Sequence, residues 1–150
     1  MAEKFYITSS LPYTNAPPHI GHLLEFIQTD VLARYNRLLG KEVFFLTGTD
    51  EHGRKNLKAA EEKEKNPQDF VNEISEGFKN LINISNISID GFVKTTDKNL
   101  HWPAVWKIWK KLKDNGDLYK GKYSGLYCVG HEAFIKKSEL KDGLCLDHQI

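Results

Sequence analysis

Long apolar runs are missing from this 150-residue chain. None approaches the roughly 18 positions that a membrane-spanning helix requires, which excludes a transmembrane segment on hydropathy. Cysteine is scarce: Cys128 and Cys145 are the only two, too few for a disulfide scaffold, and a bridge between them is not expected in a reducing compartment. Neither sign of charge is in surplus. The 21 basic and 20 acidic residues leave a formal net charge of +1, which argues against a dedicated electrostatic nucleic-acid binder and leaves room for a partner met by a small local patch. Met-Ala-Glu-Lys leads directly into Phe5-Tyr6-Ile7 without an apolar leader or cleavage site, so no secretory signal is expected and the expected location is cytoplasmic. Low-complexity tracts and internal repeats are absent as well.

What is present suits a folded chain. With 27% charged and 40% hydrophobic residues, the composition is not that of a disordered protein. The length suffices for one ordinary domain, or for a domain plus a piece of a second.

Lys4 to Ser9 reads as a short strand, rich in β-branched and aromatic residues. Pro12, Pro17 and Pro18 then impose a loop. From Ile20 to Leu39 the spacing of Leu24, Ile27, Val31, Tyr35 and Leu38 predicts a helix with one apolar, core-facing stripe, stopped by Gly40. Val43-Phe44-Phe45-Leu46 is a continuous apolar run, as in a parallel strand buried on both faces. Strand, helix and strand in this order make a right-handed βαβ crossover, and the expected fold class is α/β, a Rossmann-like doubly wound parallel sheet. Further helices are predicted from Lys55 to Lys65, from Asn66-Pro67 through Phe70, Ile74, Phe78 and Leu81, and along Trp102, Val105, Trp106, Trp109 and Leu112 to Asn115-Gly116. The tryptophans of the last helix read as a core stripe, and Lys107, Lys110, Lys111, Lys113, Lys120 and Lys122 as a solvated basic face. After Gly116 the apolar pieces shorten and both cysteines appear. The expected division is therefore residues 1–116 as one α/β unit and 117–150 as the start of a small separate module.

Two residue clusters carry chemistry. In His19-Ile20-Gly21-His22, two imidazoles lie three residues apart at a helix start, where unpaired N–H groups favour an anion such as a phosphate. Their N–H groups are suited to stabilise charge developing on that phosphate, and Gly21 leaves room for a flat ring against the backbone. Asp50, closing the second strand, is expected to face the same crevice and to hold an ammonium; a turn-capping role is the alternative. His52 fits either a supporting partner or a helix-start residue. The second cluster is Cys128-x-x-His131 and Cys145-x-x-His148, two ligand pairs with thirteen residues between them. Two thiolates and two imidazoles suit a closed, structural tetrahedral Zn²⁺ site, with Gly130 easing the first turn.

The segment from Tyr13 to His22, together with Val43 to Gly53, resembles the amino-terminal part of the methionyl-tRNA synthetases. His-Ile-Gly-His matches the first signature of the class I synthetases, and the Leu-Pro-Tyr-x-Asn and Gly-Thr-Asp-Glu-His-Gly blocks narrow it to the methionine family. Lys94 to Asp97, and Asp117-Leu118-Tyr119 to Tyr127-Cys128, match too. The resemblance implies catalytic roles for His19 and His22, ATP contacts from His19, Gly21, His22 and Asn15 with Glu25 nearby, and methionine contacts from Ser10, Leu11, Tyr13 and Asp50, the last on the α-amino group. It further implies ATP with Mg²⁺, methionine, and initiator and elongator methionine tRNA as partners, and a zinc knuckle opening a connective insertion. In the family the second ligand is commonly cysteine, where this chain has His131. The family's Lys-Met-Ser-Lys-Ser loop does not occur in these 150 residues, so the expectation is an amino-terminal fragment, weak or inactive by itself. A nucleotidylyltransferase using the same histidine pair, or a non-catalytic zinc-binding module, are the other readings.

Overall fold

The computed structural model describes residues 2–148. A three-stranded sheet is built from β1 (Lys4–Thr8), β2 (Glu42–Thr49) and β3 (Gly91–Lys94), all parallel, in the order β1-β2-β3. Ile7 pairs with Phe45 and Leu46 with Gly91. Helix α1 (Ile20–Leu38) crosses from β1 to β2; α2 (Arg54–Glu62) and α3 (Pro67–Ile84) cross from β2 to β3. This is the expected Rossmann-like arrangement of parallel strands and crossover helices.

The core lies between these helices and one face of the sheet. Phe26 and Ala33 of α1, Phe45 of β2, Ala60 of α2, and Phe70, Val71, Ile74, Phe78 and Ile82 of α3 are all buried there. Helix α3 follows its sequence signals: the Asn66 side chain caps the amides of Gln68 and Asp69, Pro67 opens the first turn, and the apolar stripe points inward.

Three packing expectations fail. The buried face of α1 is Phe26, Thr29, Asp30, Ala33 and Asn36, whereas Leu24, Ile27, Val31, Tyr35 and Leu38 are exposed. The reason is a polar network. Asp30 accepts from the backbone N–H of Ser88 at 2.8 Å and from Arg34 at 2.6 Å, and also bonds the Ser88 hydroxyl. Arg37 donates to Ser88 and Asp90. The helix is thus fastened by its charged side to the segment that leads into β3. Second, the apolar run of β2 is not buried on both faces: Phe45 is inaccessible, while Phe44 is 47% exposed and stacks on Tyr6. Third, α4 (His101–Asp114) buries no side chain. Trp106 and Trp109 are exposed, and Trp102 is anchored by donating its indole N–H to the Thr95 carbonyl at 3.1 Å. The lysines of α4 are exposed, as expected.

The chain then forms two small antiparallel hairpins: β4 (Leu126–Cys128) with β5 (Ala133–Ile135), and β6 (Leu140–Lys141) with β7 (Leu144–Cys145). Phe134 meets Tyr123 and Tyr127 edge-on. No helix among the described residues is long and apolar enough to cross a membrane.

Candidate functional site

The carboxyl ends of the parallel strands β1 and β2 lie side by side. Beyond β1 the chain passes over the end of β2, and Tyr13 forms a parallel bridge with Asp50. The Asp50 amide donates to the Pro12 carbonyl at 2.9 Å, and the Thr14 amide to the Asp50 carbonyl at 3.3 Å. Asp50 therefore lies on the same sheet edge as the loop that ends in His19. Ser10 is held through its amide and hydroxyl by the Glu25 carboxylate. Leu11 is half-buried, and Tyr13 and Asn15 are exposed.

His19 is the N-cap of α1 and His22 its third helical residue. The Gly21 amide donates to His19 Nδ1 at 3.1 Å, and the His19 amide to His22 Nδ1 at 3.2 Å, a reciprocal capping box. An accepting Nδ1 carries no proton, so in the neutral rings both protons sit on Nε2. The rings stack with centroids 3.8 Å apart, and His22 also packs its edge on Phe78. Burial, helped by the neighbouring His19, pushes the His22 imidazole below its usual value. At neutral pH it is thus an uncharged Nε2–H donor. The His19 ring lies over Gly21, where a β-carbon would come 2.9 Å from Cε1.

Asp50 plays the turn-capping role named as the alternative for it. Its Oδ1 accepts from the His52 amide at 3.2 Å and from the Thr95 hydroxyl at 3.3 Å. Thr95 also receives the Glu51 amide at 2.8 Å, and its carbonyl meets the His52 ring at 3.2 Å. Glu51, 5% exposed, pairs with Lys94 at 3.4 Å and bonds Thr96, while Asp97 caps the amides of Asn99 and Leu100. Lys94 to Asp97 is thus a clasp behind the Asp50 turn, a role its composition does not announce. A concavity of about 300 Å³ adjoins it, lined by His52, Thr95, His101, Trp102, Val105 and Trp106.

Cys128, His131, Cys145 and His148 are brought together, their ligand atoms all within 4.8 Å of one another. His131 Nδ1 lies 3.4 Å from Cys145 Sγ, and His148 Nδ1 lies 3.7 Å from each sulfur. Tetrahedral zinc with ordinary Zn–S and Zn–N bonds needs S···N edges of about 3.6 Å, so the donor set fits. Both sulfurs are buried. Burial pushes the Cys128 thiol up, but the His131 amide and the neighbouring donors outweigh it and hold the thiol below its usual range. The far nitrogen of His131 meets Asp147 at 3.1 Å, an orienting partner absent from the sequence reading. Gly130 does not ease the turn through its backbone angles; the His148 ring needs its space, since a β-carbon there would lie 2.3 Å from Cγ.

One further residue escaped the sequence reading. Glu132 reaches from the β4–β5 turn to the start of α2, where it accepts from the amides of Arg54 at 2.6 Å and Lys55 at 3.1 Å. Its other oxygen accepts the Tyr13 hydroxyl at 3.1 Å. That hydrogen bond pushes the Tyr13 phenol above its usual value. Gly53, which precedes α2, has φ 113° and offers no side-chain cap. No local pattern connects residue 132 with residue 13.

A parallel sheet with paired imidazoles at the start of the first crossover helix is the arrangement of an α/β domain of the class I synthetase kind. The model of the family described as tRNA synthetases class I (M) matches residues 5–148, and the chain belongs to that family. Methionine–tRNA ligase of Rickettsia felis is 50% identical over 145 residues, 96% of this chain and 28% of that protein. The Thermotoga maritima methionine–tRNA ligase is 48% identical over 141 residues, 93% of this chain and 22% of its own length. Among solved structures, the Mycobacterium tuberculosis methionyl-tRNA synthetase in complex with methionyl-adenylate superposes with a TM-score of 0.89 at 39% identity, covering 98% of this chain and 30% of that one. The chain thus spans less than a third of the length of these relatives.

Proposed function

We propose that this chain carries the methionine-activating half-site of a methionine–tRNA ligase acting in the cytoplasm. In this reading residues 1–116 form the amino-terminal half of the catalytic domain, and 117–150 open the connective insertion. The observation that carries the reading is the placement of Asp50 beside the loop that ends in the His19–His22 pair.

The first step joins a methionine carboxylate oxygen to the α-phosphorus of ATP, with Mg²⁺ accompanying the nucleotide, and breaks the bond to the departing pyrophosphate. Asp50 grips the ammonium of methionine; Ser10, Leu11 and Tyr13 border the amino acid. The Nε2–H groups of His19 and His22 donate to the phosphate oxygens as charge builds on them, and the amino end of α1 adds its partial positive charge. Gly21 and Asn15 border the nucleotide. In the second step a terminal ribose hydroxyl of initiator or elongator methionine tRNA attacks the methionyl carbonyl and AMP leaves. No protein nucleophile is needed; alignment and charge stabilisation suffice. Cys128, His131, Cys145 and His148 would hold a structural Zn²⁺, which would join the two hairpins.

The test is ATP–pyrophosphate exchange by the full-length protein with each amino acid in turn. Exchange that depends on methionine supports the reading. Exchange driven equally by leucine or valine, or by a phosphorylated small molecule without an amino acid, contradicts it.

A further inference from the structure

We infer that Glu132 is a positioning residue for the amino-acid crevice, holding Tyr13 and the start of α2 in register from the β4–β5 turn. The inference rests on the methionine-activation reading and deepens it at that site.

Glu132 touches three groups 77 to 119 residues away in sequence. Two of these contacts supply a cap that α2 otherwise lacks. Helix α2 starts at Gly53 without a side-chain cap, and the Glu132 carboxylate supplies that cap while meeting the helix's positive end. Gly53 is required for this approach: its φ of 113° excludes most side chains, and a β-carbon there would come 3.2 Å from a Glu132 oxygen. Glu132 itself sits in the left-handed region at φ 52°, a conformation that a glutamate adopts seldom and that aims its side chain across the gap.

Two routes run from this carboxylate to Asp50. Through the Tyr13 hydroxyl it fixes the residue whose backbone bridges Asp50, while Lys55 lies over the Tyr13 ring at 5.9 Å. Through the first turn of α2 it fixes Asn56, whose side-chain Nδ2 donates to the carbonyls of Asp50 at 3.1 Å and His52 at 2.9 Å. Both routes end on the peptide that carries the ammonium-binding carboxylate. Neither touches the histidine pair, so the effect should fall on methionine rather than on ATP.

The full-length protein tests this with Glu132→Ala, Tyr13→Phe and the double variant, in methionine-dependent pyrophosphate exchange and in amide hydrogen exchange. Glu132→Ala should raise the KM for methionine about tenfold, an effect on the scale of one charge-assisted hydrogen bond, and leave the KM for ATP within about twofold. Glu132→Gln, which keeps an acceptor for the α2 amides, should recover part of the loss. The double variant should be no worse than the more impaired single one, as for partners in one interaction. Amides of residues 54 and 55 should exchange faster in Glu132→Ala and not in Tyr13→Phe. An unchanged methionine KM, equal rises for both substrates, or effects that multiply in the double variant would overturn the inference alone. A parent protein without methionine-dependent exchange overturns the underlying reading, and the inference with it.

Discussion

At the level of single residues, the chemistry of the crevice depends on which nitrogen of each imidazole is free. The capping box uses Nδ1 of both His19 and His22 as acceptors, so each ring presents Nε2–H outward. Protonation would break the arrangement, because a charged ring cannot accept. Burial lowers the His22 value, which keeps the box intact at neutral pH. The sign of the linkage follows: below a pH of about 6.5 the unfolded chain takes up this proton first. Stability therefore falls as pH drops from there toward the lower folded value, and His22 contributes no pH dependence well above a pH of about 6.5. An NMR titration of the His22 ring in the full-length protein should give a midpoint below the ordinary histidine value; a midpoint above it contradicts the burial argument. His22→Asn keeps an acceptor for the His19 amide but loses the ring donor, and should lower the exchange rate by about two orders of magnitude with little change in the methionine KM. A loss confined to KM would assign the ring to binding instead.

At the level of elements, the extent of α1, the start of α3 and the centre of β2 were legible because caps, proline and apolar runs are local signals. The facing of α1 was not. Its apolar stripe is real, but Asp30, Arg34 and Arg37 find acceptors and donors on residues 86–90, and a distant partner cannot be read from helical period. Burial pushes the Asp30 carboxyl up, yet the Ser88 hydrogen bonds and Arg34 outweigh it and hold it below the usual carboxylate range. Its stabilisation is present above a pH of about 4 and is lost as pH falls through the depressed folded value. Asp30→Ala should cost about 2 kcal/mol, read as faster amide exchange at Ser88 in the full-length protein; unchanged protection would show that the network carries no weight. The convergence of Cys128, His131, Cys145 and His148 was legible from spacing, and it is geometric fact. Asp147 and Glu132 were not, since one orients a ligand through space and the other reaches across more than seventy residues. Chelation of the proposed zinc should loosen both hairpins, seen as loss of amide protection across residues 126–145, and leave that of α3 intact. Uniform protection after verified metal removal would contradict a structural role.

At the level of the whole molecule, the described residues bury one sheet face and leave the other open. Tyr6 and Phe44 lie on that open face, and the outer stripe of α1 and the tryptophans of α4 add further apolar surface. Composition and period identified these side chains as core material without showing what covers them. The 150-residue chain prepared by itself should therefore bind a hydrophobic dye and self-associate at micromolar concentration; a monodisperse monomer that binds none would show that these faces are tolerated in water. The central claim, an amine gripped by Asp50 across from an anion held at the start of α1, has a more direct test. Titration of the full-length protein with methioninol, which keeps the amine and side chain but has no carboxylate, isolates the grip. Asp50→Asn should weaken methioninol binding at least about tenfold and leave ATP binding unchanged. Equal affinity of the two proteins for methioninol would contradict the account.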